Sequence, residues 1–123
     1  GYEVEGLENI PDSGPAILVL YHSFMPIDAF FFLPSMLFLK NRKVPTVVER
    51  LNAKIPGFNI FIEALEQTTG SMDSCIDILQ KNDLLLIYPG GLKEAVISDN
   101  NYELVWKKEA GFAKLAQITK VVN

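Results

Sequence analysis

Cysteine and histidine are nearly missing from this chain of 123 residues, which contains one of each. The single cysteine excludes an internal disulfide and fits a reducing or cytosol-facing location. No group of His and Cys has the spacing of metal ligands, so we expect no metal site. Basic residues are also few, and the formal net charge is −4. Because no basic stripe is available to neutralise phosphates, we expect no nucleic-acid partner.

Two further absences concern export and membranes. The chain has no signal peptide and no apolar run of about eighteen residues, the length that a helix needs to cross a bilayer. It begins with Gly rather than Met, so we expect a domain of a longer protein whose membrane anchor lies outside this segment. Hydrophobic residues make up 49% of the chain and charged residues 21%. This balance is typical of a globular domain with a real core.

Short apolar runs alternate with longer segments of helical character. Buried strands are predicted over residues 16–20 and 83–88, with a weaker strand over residues 44–48. Helices are predicted over residues 27–39, 72–80 and 102–119. The alternation predicts an α/β fold in which helices flank a largely parallel central sheet, with a single domain over residues 1–123.

The helix predicted over residues 72–80 is amphipathic. Ser71 or Asp73 is a plausible N-cap for this helix. Cys75 falls on its apolar face, so we expect this side chain to pack in the core and not to act as a nucleophile.

The only histidine directly follows the first predicted strand. His22 should lie at the carboxyl end of that strand, where ligands bind in open α/β sheets, with Asp28 in the first turn of the next helix. An imidazole can take a proton from an alcohol that attacks an acyl group, and a carboxylate on the other ring nitrogen fixes the tautomer. A structural histidine and a helix-capping aspartate fit the same pattern. The residues alone leave both interpretations open.

The helix that follows is almost entirely apolar. Between residues 27 and 39 the only charged residue is Asp28, and residues 30–32 are all phenylalanine. Three consecutive aromatics cannot all face one core on a 3.6-residue period. The segment, which contains Pro34, is too short to span a bilayer. It is a core helix, or a surface that dips into lipid or holds an acyl chain, and the run of aromatics favours a mixture of the two. Three cations that follow would suit a helix C-terminus or lipid headgroups: Lys40, Arg42 and Lys43.

A second candidate site follows the strand over residues 83–88. Gly90 and Gly91 would let the backbone approach a ligand and present N–H groups to it. Lys93 adds a positive charge suited to a phosphate or a developing oxyanion, and Glu94 could hold Lys93 or an acceptor hydroxyl. A plain turn is the alternative, because Pro-Gly-Gly is a common turn sequence. No Gly-x-Ser-x-Gly elbow is present, so we do not expect a serine hydrolase.

Four segments, in chain order, resemble the glycerolipid acyltransferase superfamily: YHSFMPIDAFFF, KIPGF, YPGGLKEA and NYELVWKKEAGFAKLA. Within it they are most similar to the transmembrane protein 68 type, which is itself similar to mono- and diacylglycerol acyltransferases. The resemblance runs from Tyr2 to about Lys120 and implies a glycerol-phosphate acyltransferase-like fold. The family's later Val-Pro strand motif is absent because the chain ends at Asn123, so we expect a domain that is incomplete at its C-terminus.

The resemblance implies transfer of a fatty acyl group to a glycerolipid hydroxyl. The donor is usually acyl-coenzyme A, a co-substrate, and no other cofactor is implied. His22 matches the family's catalytic base and Asp28 its carboxylate partner. Four residues match the substrate-binding glycine loop: Gly90, Gly91, Lys93 and Glu94. The broader family has Glu-Gly-Thr-Arg there, so the Gly-Gly-Leu-Lys of this chain favours a neutral mono- or diacylglycerol acceptor.

The resemblance also implies partners and a location. We expect the domain to work at a membrane surface of the endoplasmic reticulum, with its active site facing the cytosol. The alternative is a non-catalytic domain, such as a truncated form, that binds lipid or a membrane. The missing strand motif favours this alternative.

Overall fold

The structure, a computed structural model, describes residues 3–22, 27–48, 56–57, 63, 66–68, 70–97 and 111–121. The regular strands are β1 (Ala16–Val19) and β2 (Leu84–Ile87). The helices are α1 (Ile27–Lys40), α2 (Met72–Gln80), α3 (Gly91–Ile97) and α4 (Gly111–Thr119). The KIPGF segment and the first part of the helix predicted over residues 102–119 lie outside the described residues.

β1 and β2 pair in parallel although more than sixty residues separate them. Ala16 lies opposite Leu84 and Val19 lies opposite Ile87. Each strand is a short aliphatic run, which suits a strand buried on both faces. The two strongest strand predictions are therefore confirmed, with β1 ending at Val19.

The parallel pairing continues on the other side of β2. Thr46 pairs with Leu86, and Val47 pairs with Thr68, each through an isolated bridge. The amide of Val47 donates to the carbonyl of Leu86 at 2.9 Å, and the amide of Leu86 donates to the carbonyl of Pro45 at 2.9 Å. The segment predicted as a weaker strand thus lies beside β2. The α/β fold with a largely parallel sheet is confirmed.

Helices cover both faces of this sheet. On one face, α1 contributes to a core cluster of buried residues: Ala16, Leu33, Met36, Val44, Leu84 and Leu86. On the other face, α2 and α4 contribute to a second cluster: Ile17, Cys75, Leu79, Leu85 and Leu115. The alternation of side chains along each strand supplies one cluster with even-numbered residues and the other with odd-numbered residues.

The cap predicted for α2 is confirmed. Ser71 is the N-cap, and its hydroxyl accepts a hydrogen bond from the Ser74 amide at 3.2 Å. Cys75 is buried, as predicted, and burial raises the pKa of its thiol. A raised pKa leaves less of the reactive thiolate, which agrees with a packing role.

The C-terminal end of α1 is tied to the segment that leads into β1. Lys40 Nζ lies 2.6 Å from Asp12 Oδ1 and 3.1 Å from the carbonyl oxygen of Ile10. The hydrogen bond from Lys40, together with its positive charge, lowers the pKa of the Asp12 carboxyl. Because Ile10 and Asp12 precede β1, this tie lies at the amino edge of the sheet.

Arg42 makes a second tie at the same edge. Its guanidinium is buried and donates to the carbonyl of Pro11 at 2.8 Å and to the carbonyl of Asn82 at 2.7 Å. The third cation, Lys43, forms an ion pair with Glu66. The suggestion that the three cations face lipid headgroups stays a prediction. They bind groups of the chain itself that lie far away in the sequence.

We predict that Gly70→Ala destabilises the fold more than Gly14→Ala does. Both glycines have a left-handed φ, +71° and +83°, so alanine costs about 1–2 kcal/mol of backbone strain at either position. A Cβ at Gly70 would also lie 2.5 Å from Val47 Cγ1, whereas nothing lies within 4 Å of one at Gly14. Because the side chain of Val47 is stiff, this clash should add about 1–3 kcal/mol to the destabilisation caused by Gly70→Ala. Urea unfolding measures both losses, and equal losses would contradict the close approach.

We predict that Arg42→Met lowers the free energy of unfolding by about 2–3 kcal/mol, because two charge-assisted hydrogen bonds are lost. Arg42→Lys is the matched control, since it keeps the charge but cannot reach both carbonyls in the same geometry. The Lys variant should lose part of the free energy of unfolding that the Met variant loses. A methionine variant as stable as the parent chain in urea would show that the guanidinium does not hold the amino edge together.

Candidate active site

Both candidate segments lie at the carboxyl edge of the parallel sheet. The amide of Leu20 donates to the carbonyl of Ile87 at 3.0 Å, which carries the pairing one residue beyond β1. His22 follows Val19 by three residues, and Gly90 follows Ile87, the partner of Val19, by three residues. The register therefore brings His22 and Gly90 to one edge, as the sequence predicts.

His22 also lies on the face of the sheet that α1 covers. Along β1 and β2, the side chains that pack in the cluster with α1 have even numbers: Ala16, Leu18, Leu20, Leu84, Leu86 and Tyr88. His22 continues this alternation beyond the end of β1. Its ring contacts that of Tyr88, with ring centroids 4.9 Å apart and planes tilted by 59°.

Tyr88 is a site residue that the sequence analysis missed. It directly precedes the Pro-Gly-Gly segment and is partly buried. The alternation of side chains along β2 is a signal that could have found it, because Tyr88 falls on the same face as the two buried leucines Leu84 and Leu86. Its contact with His22 depends on the register between the strands, which the sequence alone does not give.

Asp28 is the second residue of α1 and is exposed to solvent. It lies in the first turn of the helix, as predicted, where the helix dipole favours a carboxylate. α1 packs on the face of the sheet that carries His22, so both residues belong to the same side of the molecule. Residues 23–26, which connect them, lie outside the described residues, and the pairing of the two side chains stays a prediction.

The glycine segment forms a tight turn followed at once by a helix. The amide of Gly91 donates to the carbonyl of Tyr88 at 3.0 Å, and Gly91 has φ +53°, a left-handed value that glycine adopts without strain. α3 begins at Gly91, so Lys93 and Glu94 lie in a helix and not in a loop. This corrects the predicted loop. The chain turns at the second glycine, and the residues beyond it include good helix formers.

Lys93 is exposed in the first turn of α3, directly beyond the turn at the carboxyl edge. An imidazole, a backbone turn and an ammonium group therefore occupy neighbouring positions at or next to this edge. Such a set can handle an acyl or phosphoryl group, since it combines a base with donors for negative charge.

The described residues contain neither a candidate metal site nor a membrane-spanning helix. No three or more His, Cys, Asp or Glu side chains among them are grouped so that they could hold a metal ion. No helix in this part of the chain combines the length and apolar character that crossing a bilayer requires.

The chain matches a known protein family over nearly its whole length. A family model described as acyltransferase matches residues 1–122. No solved structure matches the chain.

The chain is also similar to individual curated proteins over most of its length. A Bos taurus protein named DGAT1/2-independent enzyme synthesizing storage lipids is 40% identical over 121 residues, covering 98% of this chain and 36% of that protein. The Homo sapiens protein of the same name is also 40% identical, over 98% of this chain and 37% of its own length. Phytyl ester synthase 1, chloroplastic, of Arabidopsis thaliana is 25% identical, over 94% of this chain and 18% of its own length.

The chain spans little more than a third of the length of the first two relatives. Its similarity to them covers the His22 segment and the glycine turn alike, since it runs over 121 residues. Together with the family match, this shows that the chain belongs to the acyltransferase family.

Proposed function

We propose that this chain is the catalytic part of a lipid O-acyltransferase. In this proposal it moves a fatty acyl group from acyl-coenzyme A to the hydroxyl of a glycerolipid, of the mono- or diacylglycerol type. The observation that carries the proposal is that His22 and the Gly90–Gly91 turn both follow paired strands at the same edge of the sheet. The relatives support it, because their names describe the synthesis of storage lipids and of a phytyl ester.

The proposed step begins with His22 as general base. The imidazole takes the proton of the acceptor hydroxyl while the hydroxyl oxygen attacks the carbonyl carbon of the acyl thioester. A tetrahedral intermediate forms, the carbon–sulfur bond breaks, and the imidazolium returns a proton to the departing thiolate. Asp28 accepts a hydrogen bond from the other ring nitrogen, which fixes the tautomer and stabilises the imidazolium. The products are an ester and free coenzyme A.

The negative charge on the tetrahedral intermediate needs hydrogen-bond donors close to the carboxyl edge of the sheet. The amide of Gly91 already donates to the carbonyl of Tyr88. We therefore assign the oxyanion, or a phosphate of the donor, to the amide of Gly90 and the ammonium of Lys93. Lys93 offers a point charge without the fork of an arginine, which agrees with a neutral acceptor rather than a phosphorylated one. Glu94 remains a candidate for orienting the acceptor hydroxyl.

α1 supports the proposal that the domain works at a membrane surface. Its inner face supplies Leu33 and Met36 to the core, while large apolar side chains on its outer face are between 44% and 84% exposed: Ile27, Phe30, Phe31, Leu37, Phe38 and Leu39. At about 100° per residue, all of these except Leu39 share an arc of about 120° with the exposed Pro34.

The exposed apolar surface of α1 is on the order of 600 Å², taking about 200 Å² for a full aromatic side chain. A patch of about this size is at the upper end of what a monomer exposes, and such patches often serve as interaction surfaces. The sequence left two interpretations of the segment open, and each fits one side of the helix. We propose that the outer face meets the acyl layer of the endoplasmic reticulum membrane, from which the acceptor is drawn, with the site facing the cytosol.

We predict that His22→Ala lowers acyl transfer by about 10²–10⁴-fold, the usual contribution of a general base. Asp28→Asn should also lower the rate strongly, because an amide does not hold the productive tautomer. Asp73→Asn is the matched control, since Asp73 is likewise an exposed aspartate in the first turn of a helix, but α2 packs on the opposite face. The measurement is transfer of labelled acyl groups from acyl-coenzyme A to monoacylglycerol.

Full turnover by the His22 variant would contradict the proposed base. Equal rates for the Asp28 and Asp73 variants would contradict the pair while leaving His22 in place. A parent protein that binds lipid vesicles but transfers no acyl group would favour the non-catalytic lipid-binding alternative.

We predict that Phe38→Ser weakens binding to phosphatidylcholine vesicles about tenfold, since a largely exposed phenylalanine contributes about 1.5–3 kcal/mol when it enters lipid. Phe31→Ser should weaken binding less, because its side chain is 52% exposed and that of Phe38 is 84% exposed. Ile118→Ser is the control, with the same 52% exposure on α4, across the sheet. Vesicle co-sedimentation measures all three, and equal effects of Phe31→Ser and Ile118→Ser would count against the α1 face.

A further inference from the structure

We infer that Tyr88 is a positioning residue that sets the orientation of the His22 imidazole. The inference rests on the proposed acyl transfer for its consequence, but the contact that carries it stands on the geometry alone. The two ring centroids are 4.9 Å apart, within the range of about 4.5–7 Å that aromatic pairs prefer, and the planes are tilted by 59°.

Tyr88 is anchored to the rigid part of the fold. Its side chain packs against the cluster beneath α1, whose members Leu84 and Leu86 are both 0% exposed. Packing against a close-packed interior restricts the rotamers of a side chain. The Tyr88 ring therefore connects the buried core to the carboxyl edge of the sheet.

The backbone around Tyr88 is fixed on both sides. The preceding carbonyl, that of Ile87, accepts the hydrogen bond of Leu20 that extends the parallel pairing. The carbonyl of Tyr88 itself accepts the hydrogen bond of Gly91 that closes the turn. Tyr88 cannot shift without disturbing either the β1–β2 pairing or the glycine turn.

His22 needs such a support because it lies beyond the end of β1. The second side-chain torsion of histidine is broad, so the backbone does not select one ring orientation. A general base, however, must be aligned within hydrogen-bond reach of the proton that it takes. The tilted contact with an anchored ring restricts the rotation of the imidazole. Tyr88 thereby aligns the base and also holds the turn that carries Gly90.

The test compares Tyr88→Leu, which removes the aromatic ring, with Tyr88→Phe, which keeps it. His22 is the only histidine of the chain, so its ring protons give a single assignable set of NMR signals. We expect the Phe variant to keep the ring-current shifts of the parent protein and the Leu variant to lose them. This readout reports on the imidazole directly and does not require activity.

Kinetics of acyl transfer supply the second readout. We expect kcat of the Leu variant to fall by about 10–100-fold, the size of effect that a misplaced catalytic group produces. The KM for acyl-coenzyme A should change less than about twofold, because only the ring aligns the base, and the Leu variant keeps the backbone carbonyl that closes the glycine turn. The Phe variant should restore most of kcat. A residue needed only for folding would not give this separation of kcat from KM.

Circular dichroism checks that each variant folds, and Tyr88→Met replaces the Leu variant if that one does not. Unchanged His22 signals and unchanged kcat in the Leu variant would overturn the inference and leave the proposed function intact. A Phe variant as impaired as the Leu variant would also overturn it, since the ring would then not be the feature that matters. A parent protein without acyl transfer would instead refute the proposed function, and the NMR comparison would still decide the contact.

Discussion

The parallel pairing of β1 with β2 is the constraint on which the rest of the candidate site depends. Hydrogen bonds in register from Ala16 opposite Leu84 to Val19 opposite Ile87 make two distant segments end at the same level. The residues just beyond both strands then lie at one edge, including His22, its aromatic neighbour Tyr88 and the glycine turn. A shift by one residue would turn His22 toward the face that α2 and α4 cover, because side chains alternate along a strand.

Local patterns in the sequence were enough to predict the strands, α2 with Ser71 as one of two cap candidates, and the edge to which His22 belongs. They failed where the outcome depends on groups far away in the chain. The burial of Arg42 follows from the carbonyls of Pro11 and Asn82, about thirty and forty residues distant, and no local signal encodes them. The start of α3 at Gly91 is a different case, because a glycine pair is compatible with both a loop and a helix start.

α1 shows how one helix can serve two environments. A helix that is apolar on all sides is usually buried on all sides, yet here only the side that carries Leu33 and Met36 is covered by the sheet. From the sequence, this segment had two interpretations, a core helix and a surface that meets lipid or an acyl chain. The first applies to the side that packs in the core, and the second stays a prediction for the exposed side.

At the amino edge, the end of α1 and the residues just after it make two chemically different contacts with the segment before β1. The Asp12 carboxyl has a lowered pKa, so its stabilising pair with Lys40 is complete above the ordinary range of a carboxyl and fades as the pH falls through the lowered value. The carbonyl groups that accept hydrogen bonds from Arg42 do not titrate over that pH range. Acid would therefore weaken the Lys40–Asp12 ion pair and leave the hydrogen bonds of Arg42 intact, so that the residues just after α1 would stay bound to the segment before β1.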